Sequence, residues 1–209
     1  HGIAASAEQI VTTVGATHAL DIVTRTLLKA GDTVLVDEPG WSVEYARLTA
    51  LGLTLLPVPR GDDGPDLAVM QALIDAQPPQ AKPRLYITVP VLSNPTGATL
   101  TPQAAHRVLL LARANGLTLV EDDTYAHLAP AHLPRLAALD GLQRSFYISS
   151  FSKILTPNWR VGYLAAPPAW VDRLVDTKLL STLTSPTLTE RALAHCLEQG
   201  LLRRHVERV

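Results

Sequence analysis

Short runs rich in β-branched and aliphatic residues alternate with amphipathic stretches along the chain, and this alternation leaves few folds open. "QIVTTVG" (9–15) reads as a strand. In "THALDIVTRTLLKAG" (17–31), Leu20, Val23, Leu27 and Leu28 share one helical face and Gly31 supplies a stop. "DTVLVDEPG" is a second strand ended by Pro39, "SVEYARLTALG" a helix and "LTLLPVP" a third strand. "GPDLAVMQALIDA" follows as a helix and "PRLYITVPV" as a buried strand. "TPQAAHRVLLLARANG" is a helix with Pro102 early and Asn115-Gly116 at its end. "LTLVEDD" and "SFYISS" are further strands, and "AWVDRLVDTKLLSTL" a further helix. Strands and helices in alternation with short connections specify an α/β fold: three layers, α/β/α, around a mostly parallel sheet.

The 209 residues suffice for one large domain with a sizeable core, and 47% hydrophobic against 18% charged residues is a globular balance. A formal net charge of −1, with no Lys/Arg block, gives no electrostatic footprint for nucleic acid or a membrane surface. No apolar run reaches the roughly 18 residues of a membrane span. The single Cys196 fits a reducing, cytoplasmic setting and offers no thiolate metal site. His18, His127 and His132 lack metal-ligand spacing, so no metal is expected. The chain opens without an initiator Met and stops in the helical pattern "LEQGLLRRHVERV" without a cap, as a piece of a longer polypeptide would. "RGDDGPD" reads as a surface turn, and "RRHVERV" as a charged helix face.

In parallel sheets ligands sit beyond the carboxyl ends of the strands, at helix N-termini. The residues just after the strand ends are Gly15-Ala16-Thr17, Glu38-Pro39-Gly40-Trp41, Asn94-Pro95-Thr96-Gly97, Asp122-Asp123-Thr124-Tyr125 and Ser150-Phe151-Ser152-Lys153. Thr17, after a glycine at a strand-to-helix turn, is either an ordinary N-cap or part of a phosphate seat. Ser150 and Arg160 could complete a phosphate cage. Asp122 ends an apolar strand and, if buried, needs a partner such as a protonated heterocyclic nitrogen. Trp41 is either a stacking face or a core residue. Lys153 is one of four lysines and sits in an uncharged segment. A phosphorylated aromatic aldehyde attached to a lysine would use every one of these groups.

"SNPTG" (93–97), "VEDDTY" (120–125) and "SSFSK…PNWRVGY" (149–163), in that order, resemble the fold-type I pyridoxal-phosphate enzymes of the class I/II aminotransferase family. The resemblance covers essentially the whole chain and implies that residues 1–209 are the cofactor-binding large domain, without the C-terminal small domain or an N-terminal region. "EDDTY" and "RRHVERV" look like the branch that holds aminoadipate/kynurenine-type aminotransferases and the aminotransferase-like domains of GntR-family MocR regulators. The regulator is the preferred reading and a free-standing aminotransferase the alternative.

By resemblance, pyridoxal 5′-phosphate is the cofactor and Lys153 its Schiff-base lysine. Asp122 meets the pyridine nitrogen, Asn94 and Tyr125 the ring 3-oxygen, and Trp41 stacks on the ring. Ala16 (through its N–H), Thr17, Ser150 and Arg160 hold the phosphate, with Ser152 a further phosphate or positioning contact. Asp123 is implied to be a helper or a surface group. The resemblance also implies an amino acid or 2-oxo acid ligand, a homodimer, and DNA contact only through an absent N-terminal domain.

Overall fold

The computed structural model describes residues 1–209. In chain order the elements are β1 (Ile10–Thr13), α1 (Ala16–Leu27), β2 (Thr33–Glu38), α2 (Ser42–Ala50), β3 (Thr54–Gly61), β4 (Gly64–Pro65), α3 (Leu67–Asp75) and β5 (Leu85–Thr88). They continue with α4 (Pro102–Asn115), β6 (Thr118–Asp122), α5 (Leu136–Asp140), β7 (Ser145–Ser150), β8 (Gly162–Ala165), α6 (Val171–Thr182), α7 (Thr187–Glu198) and α8 (Leu201–Val206). No helix is long and apolar enough to cross a membrane.

The eight strands form one sheet in the order β1-β8-β7-β6-β5-β2-β3-β4. β3, β2, β5, β6 and β7 are mutually parallel, as the buried apolar runs predict. Alternate side chains on these strands feed two cores. Val34, Val36, Leu85, Ile87, Val120, Phe146 and Ile148 pack with Ala19, Leu20, Ile22 and Val23 of α1. Leu35, Tyr86 and Leu119 pack on the opposite face, against Met70 and Ile74 of α3 and Val108 and Leu109 of α4. Each fully buried aliphatic side chain contributes roughly 1.5–3 kcal/mol relative to exposure.

Helix boundaries follow local chemistry. The Asp66 side chain accepts from the N–H groups of Ala68 and Val69 at the start of α3. Thr101 caps α4 just before Pro102, and Gly116 ends that helix in the left-handed region (φ 67°).

β8 departs from the sequence-based expectation. It is short, was not anticipated as a strand, and runs antiparallel to both of its neighbours, β7 and β1. β1 therefore points the same way as β7, and its exit at Thr13 lies on the same rim as the ends of β2, β5, β6 and β7. Gly162 permits this closeness: a Cβ there would lie 2.7 Å from the carbonyl carbon of Gly15 and 2.9 Å from the Ser149 oxygen.

The "RGDDGPD" segment also needs correction. Arg60 is not on the surface: its guanidinium is buried, 2.7 Å from Asp37 Oδ2. Only the turn between β3 and β4 is the surface feature that the composition suggests.

Candidate functional site

Gly15 is the N-cap of α1, with φ 86° and no capping side chain. The first N–H groups of the helix, including those of Ala16 and Thr17, are thus left for a ligand. Thr17 is the second helical residue, so its reading as an ordinary N-cap is set aside. Arg160 stands over this turn in the left-handed region (φ 49°, ψ 46°), an uncommon conformation for a side chain of its size. Its Nη2 donates to the Val14 carbonyl at 2.8 Å. A Cβ on Gly15 would meet that same Nη2 at 2.7 Å and displace the arginine's tip, and the positive φ favours glycine there. Ser150 and Ser152, at and just past the end of β7, join Ala16, Thr17 and Arg160 in lining a cavity of about 280 Å³. That volume is near the lower bound for small-ligand sites.

Asp122, the last residue of β6, lines the same cavity. Both of its hydrogen bonds fall on Oδ1, from the Thr124 N–H at 3.0 Å and the Thr124 hydroxyl at 2.5 Å. Burial pushes its carboxyl up to about 6, and Asp123 pushes the same way; the Thr124 bonds and Lys153 oppose this. A carboxyl held in that range becomes a full counter-ion when a cation docks against it.

Trp41 stands at the N-terminal boundary of α2, 38% exposed, and lines the cavity instead of packing in the core. Asn94 and Tyr125 complete the lining on the sides of β5 and β6. The Asn94 loop is tied internally, Ser93 N–H donating to Ala98 O at 2.9 Å. Its approach is tied from below: Arg60 donates to the carbonyls of Val89 (2.9 Å) and Pro90 (3.3 Å). Lys153 is exposed to the cavity, with Nζ 5.8 Å from the centroid of the Tyr125 ring.

All ten residues singled out from the sequence thus face one cavity. Asp123, one position from Asp122, does not. It is fully buried, paired with Arg135 Nε at 2.8 Å and accepting the Tyr147 hydroxyl at 2.8 Å, so its reading as a surface group is overturned. Three lining residues were missed: Val89, Thr124 and Pro157. Thr124 lies inside a motif already singled out, and its hydroxyl one residue past an Asp pair was a usable signal. A larger open groove of about 710 Å³, between α1 and α6, carries no comparable set of groups.

The family model for class I and II aminotransferases matches residues 1–208. The chain belongs to that family. Among its aminotransferase relatives is the 2-aminoadipate transaminase of Thermus thermophilus, 33% identical over 207 residues, which are 97% of this chain and 51% of that one. The probable rhizopine catabolism regulatory protein MocR of Rhizobium meliloti is 28% identical over 210 residues, covering 100% of this chain and 41% of that one. Among aminotransferase structures, the Thermus thermophilus α-aminoadipate aminotransferase LysN, complexed with N-(5′-phosphopyridoxyl)-L-leucine, superposes with a TM-score of 0.88 at 32% identity. The match covers 96% of this chain and 52% of LysN. The chain thus spans about half the length of the aminotransferases it matches.

Proposed function

We propose that residues 1–209 are the large, cofactor-binding domain of a pyridoxal-phosphate protein built for amino-group transfer. The observation that carries this reading is the convergence of one amine, one half-buried carboxyl and an anion-binding helix start in a single cavity. The donor set fits the cofactor group by group. The N–H of Ala16, Thr17, Ser150, Ser152 and Arg160 would hold a phosphate. Asp122, whose Oδ2 has no donor within the protein, would face the ring nitrogen. Asn94 and Tyr125 would bind the ring oxygen, and Trp41 would cover the ring.

When bound, pyridoxal phosphate supplies an aldehyde carbon and an electron-withdrawing ring. Asp122 would keep a proton on the ring nitrogen by its charge. Lys153 Nζ would hold the aldehyde carbon, and as a free amine it would move a proton between the substrate Cα and the cofactor's C4′, as general base and then general acid. Asp122→Asn removes the counter-charge and keeps the shape. It should weaken cofactor binding about tenfold to a hundredfold, as the loss of a charged hydrogen bond implies. Titration of the variant with pyridoxal phosphate checks this, and an unchanged affinity would remove Asp122 from the ring-nitrogen role.

For the whole protein we favour a GntR/MocR-type cytoplasmic regulator, in which this domain binds cofactor and an amino or 2-oxo acid to bias a DNA-bound homodimer. Full coverage of this chain by the MocR relative, within 41% of that protein's length, supports this reading. The second reading is a free-standing aminotransferase acting on an amino acid and a 2-oxo acid, supported by 33% identity to the transaminase. The exposed Leu180, Leu183 and Leu188 (89%, 75% and 82%) support an assembly that covers them in either case.

Two measurements on the full-length protein separate these readings. An active transaminase should convert to the pyridoxamine form, followed by absorbance, with at least one of a panel of amino acids. A regulator should shift its own promoter DNA in a gel, with the shift changed by pyridoxal phosphate. Conversion without any shift would end the regulator reading, and a shift without any conversion would end the enzyme reading.

A further inference from the structure

His18, one residue beyond Thr17, belongs to none of the roles assigned above. Its position is nonetheless specific. The Val14 N–H donates to His18 Nδ1 at 3.0 Å. On the other side of the ring, Nε2 lies 2.9 Å from the Ser181 hydroxyl on α6, and that hydroxyl donates to the Lys178 carbonyl at 3.0 Å. A backbone N–H can only donate, so Nδ1 must carry the lone pair; the ring is neutral, with its proton on Nε2 and passed toward Ser181. Val14 is therefore gripped twice, its N–H by His18 and its carbonyl by Arg160 at 2.8 Å. It immediately precedes Gly15, the residue whose φ of 86° starts the phosphate turn.

Resting on the cofactor reading above, we propose that His18 is a positioning residue for the phosphate turn: its neutral Nε2–H tautomer ties Val14 to α6 and fixes the geometry with which Ala16 and Thr17 meet a phosphate. A second proton on the ring would occupy Nδ1, point it at the Val14 N–H and open the brace. Burial holds His18 below the ordinary histidine range; Asp21 on its own helix opposes this, while Lys178 on α6, Arg47 on α2 and Arg160 reinforce it. Because the folded pKa is depressed, the brace is complete above the ordinary histidine pKa and is lost as pH falls through the depressed value.

Two arms test this on the chain itself. In the first, pyridoxal phosphate and phosphate-free pyridoxal are titrated against wild type, His18→Ala and His18→Asn. The alanine variant should bind pyridoxal phosphate about tenfold more weakly, the equivalent of one buried hydrogen bond, and pyridoxal as wild type does. The asparagine variant, whose Oδ1 replaces Nδ1 as acceptor, should recover the affinity and lose the part of its acid-side decline that belongs to His18. Equal losses for both ligands, or none for either, overturn the proposal. In the second arm, ring ¹⁵N shifts of His18 in the cofactor-free chain should show a bare Nδ1 and a protonated Nε2, with the Val14 amide following the titration of His18. An Nδ1–H tautomer, or a Val14 amide indifferent to His18, overturns the proposal without reference to the cofactor. Absence of any binding by wild type counts instead against the cofactor reading.

Discussion

Borohydride reduction of the chain mixed with pyridoxal phosphate will fix one cofactor to Lys153, and Lys153→Ala will bring that label to background. The effect is close to all or none because of where the amines sit. Of the four lysines, only Lys153 lines the cavity that Thr17, Asp122, Ser150 and Arg160 also line. Lys178 is turned toward Thr12, 3.3 Å away on β1, and Lys29 borders the separate groove beside α1. A phosphate seated at the start of α1 raises the effective concentration of the attached aldehyde at Lys153 and not at those amines. Peptide mapping by mass spectrometry decides the matter. A label on Lys29, Lys82 or Lys178 in place of Lys153 would sink the assignment.

The second large effect is on stability. Arg135 and Asp123 are each fully buried and 2.8 Å apart, with further donations from Arg135 to the Leu133 carbonyl at 3.0 Å and from the Tyr147 hydroxyl to Asp123 at 2.8 Å. Such a pair is not strong evidence of net stabilisation, because desolvation offsets the attraction. Breaking it is another matter, since an uncompensated charge then stays in the core. Arg135→Ala should cost about 3–5 kcal/mol, against a total of roughly 5–15 kcal/mol for a domain. The urea midpoint of the variant, compared at equal slope with wild type, measures this. The double variant Asp123→Leu/Arg135→Met removes both charges and should recover most of the loss. A single-variant cost below about 1 kcal/mol, typical of an exposed pair, would contradict the burial described here. The site would feel the break as well. Asp123 N–H donates to the Ile148 carbonyl at 2.8 Å, so the pair anchors the end of β6 from which Asp122 enters the cavity.

Much of the site was legible because its signals are local. Strand ends in a parallel sheet share a rim, and that rule alone gathers Gly15-Ala16-Thr17, Asn94, Asp122 and Lys153 into one region. The capping chemistry of Asp66, Thr101 and Gly116 is likewise written within three or four residues of each position. Asp122 and Asp123 mark where this stops. Neighbours of the same type in "VEDDTY" alternate across a strand end, so one faces the cavity and the other the core, and only Arg135, twelve positions on, shows which.

The amino-acid sequence determined the alternation of strands and helices, the caps, and the order of the motifs, since each rests on periodicity or on contacts a few residues apart. The tertiary structure alone decided the antiparallel β8 between β7 and β1, the burial of Arg60 against Asp37, and the reach of His18 to Ser181. These unite residues 23 to 163 positions apart, or a strand with partners on both edges, and no local pattern encodes which distant donor will meet which acceptor. That choice is made by packing, when the sheet closes and most buried polar groups find partners within it.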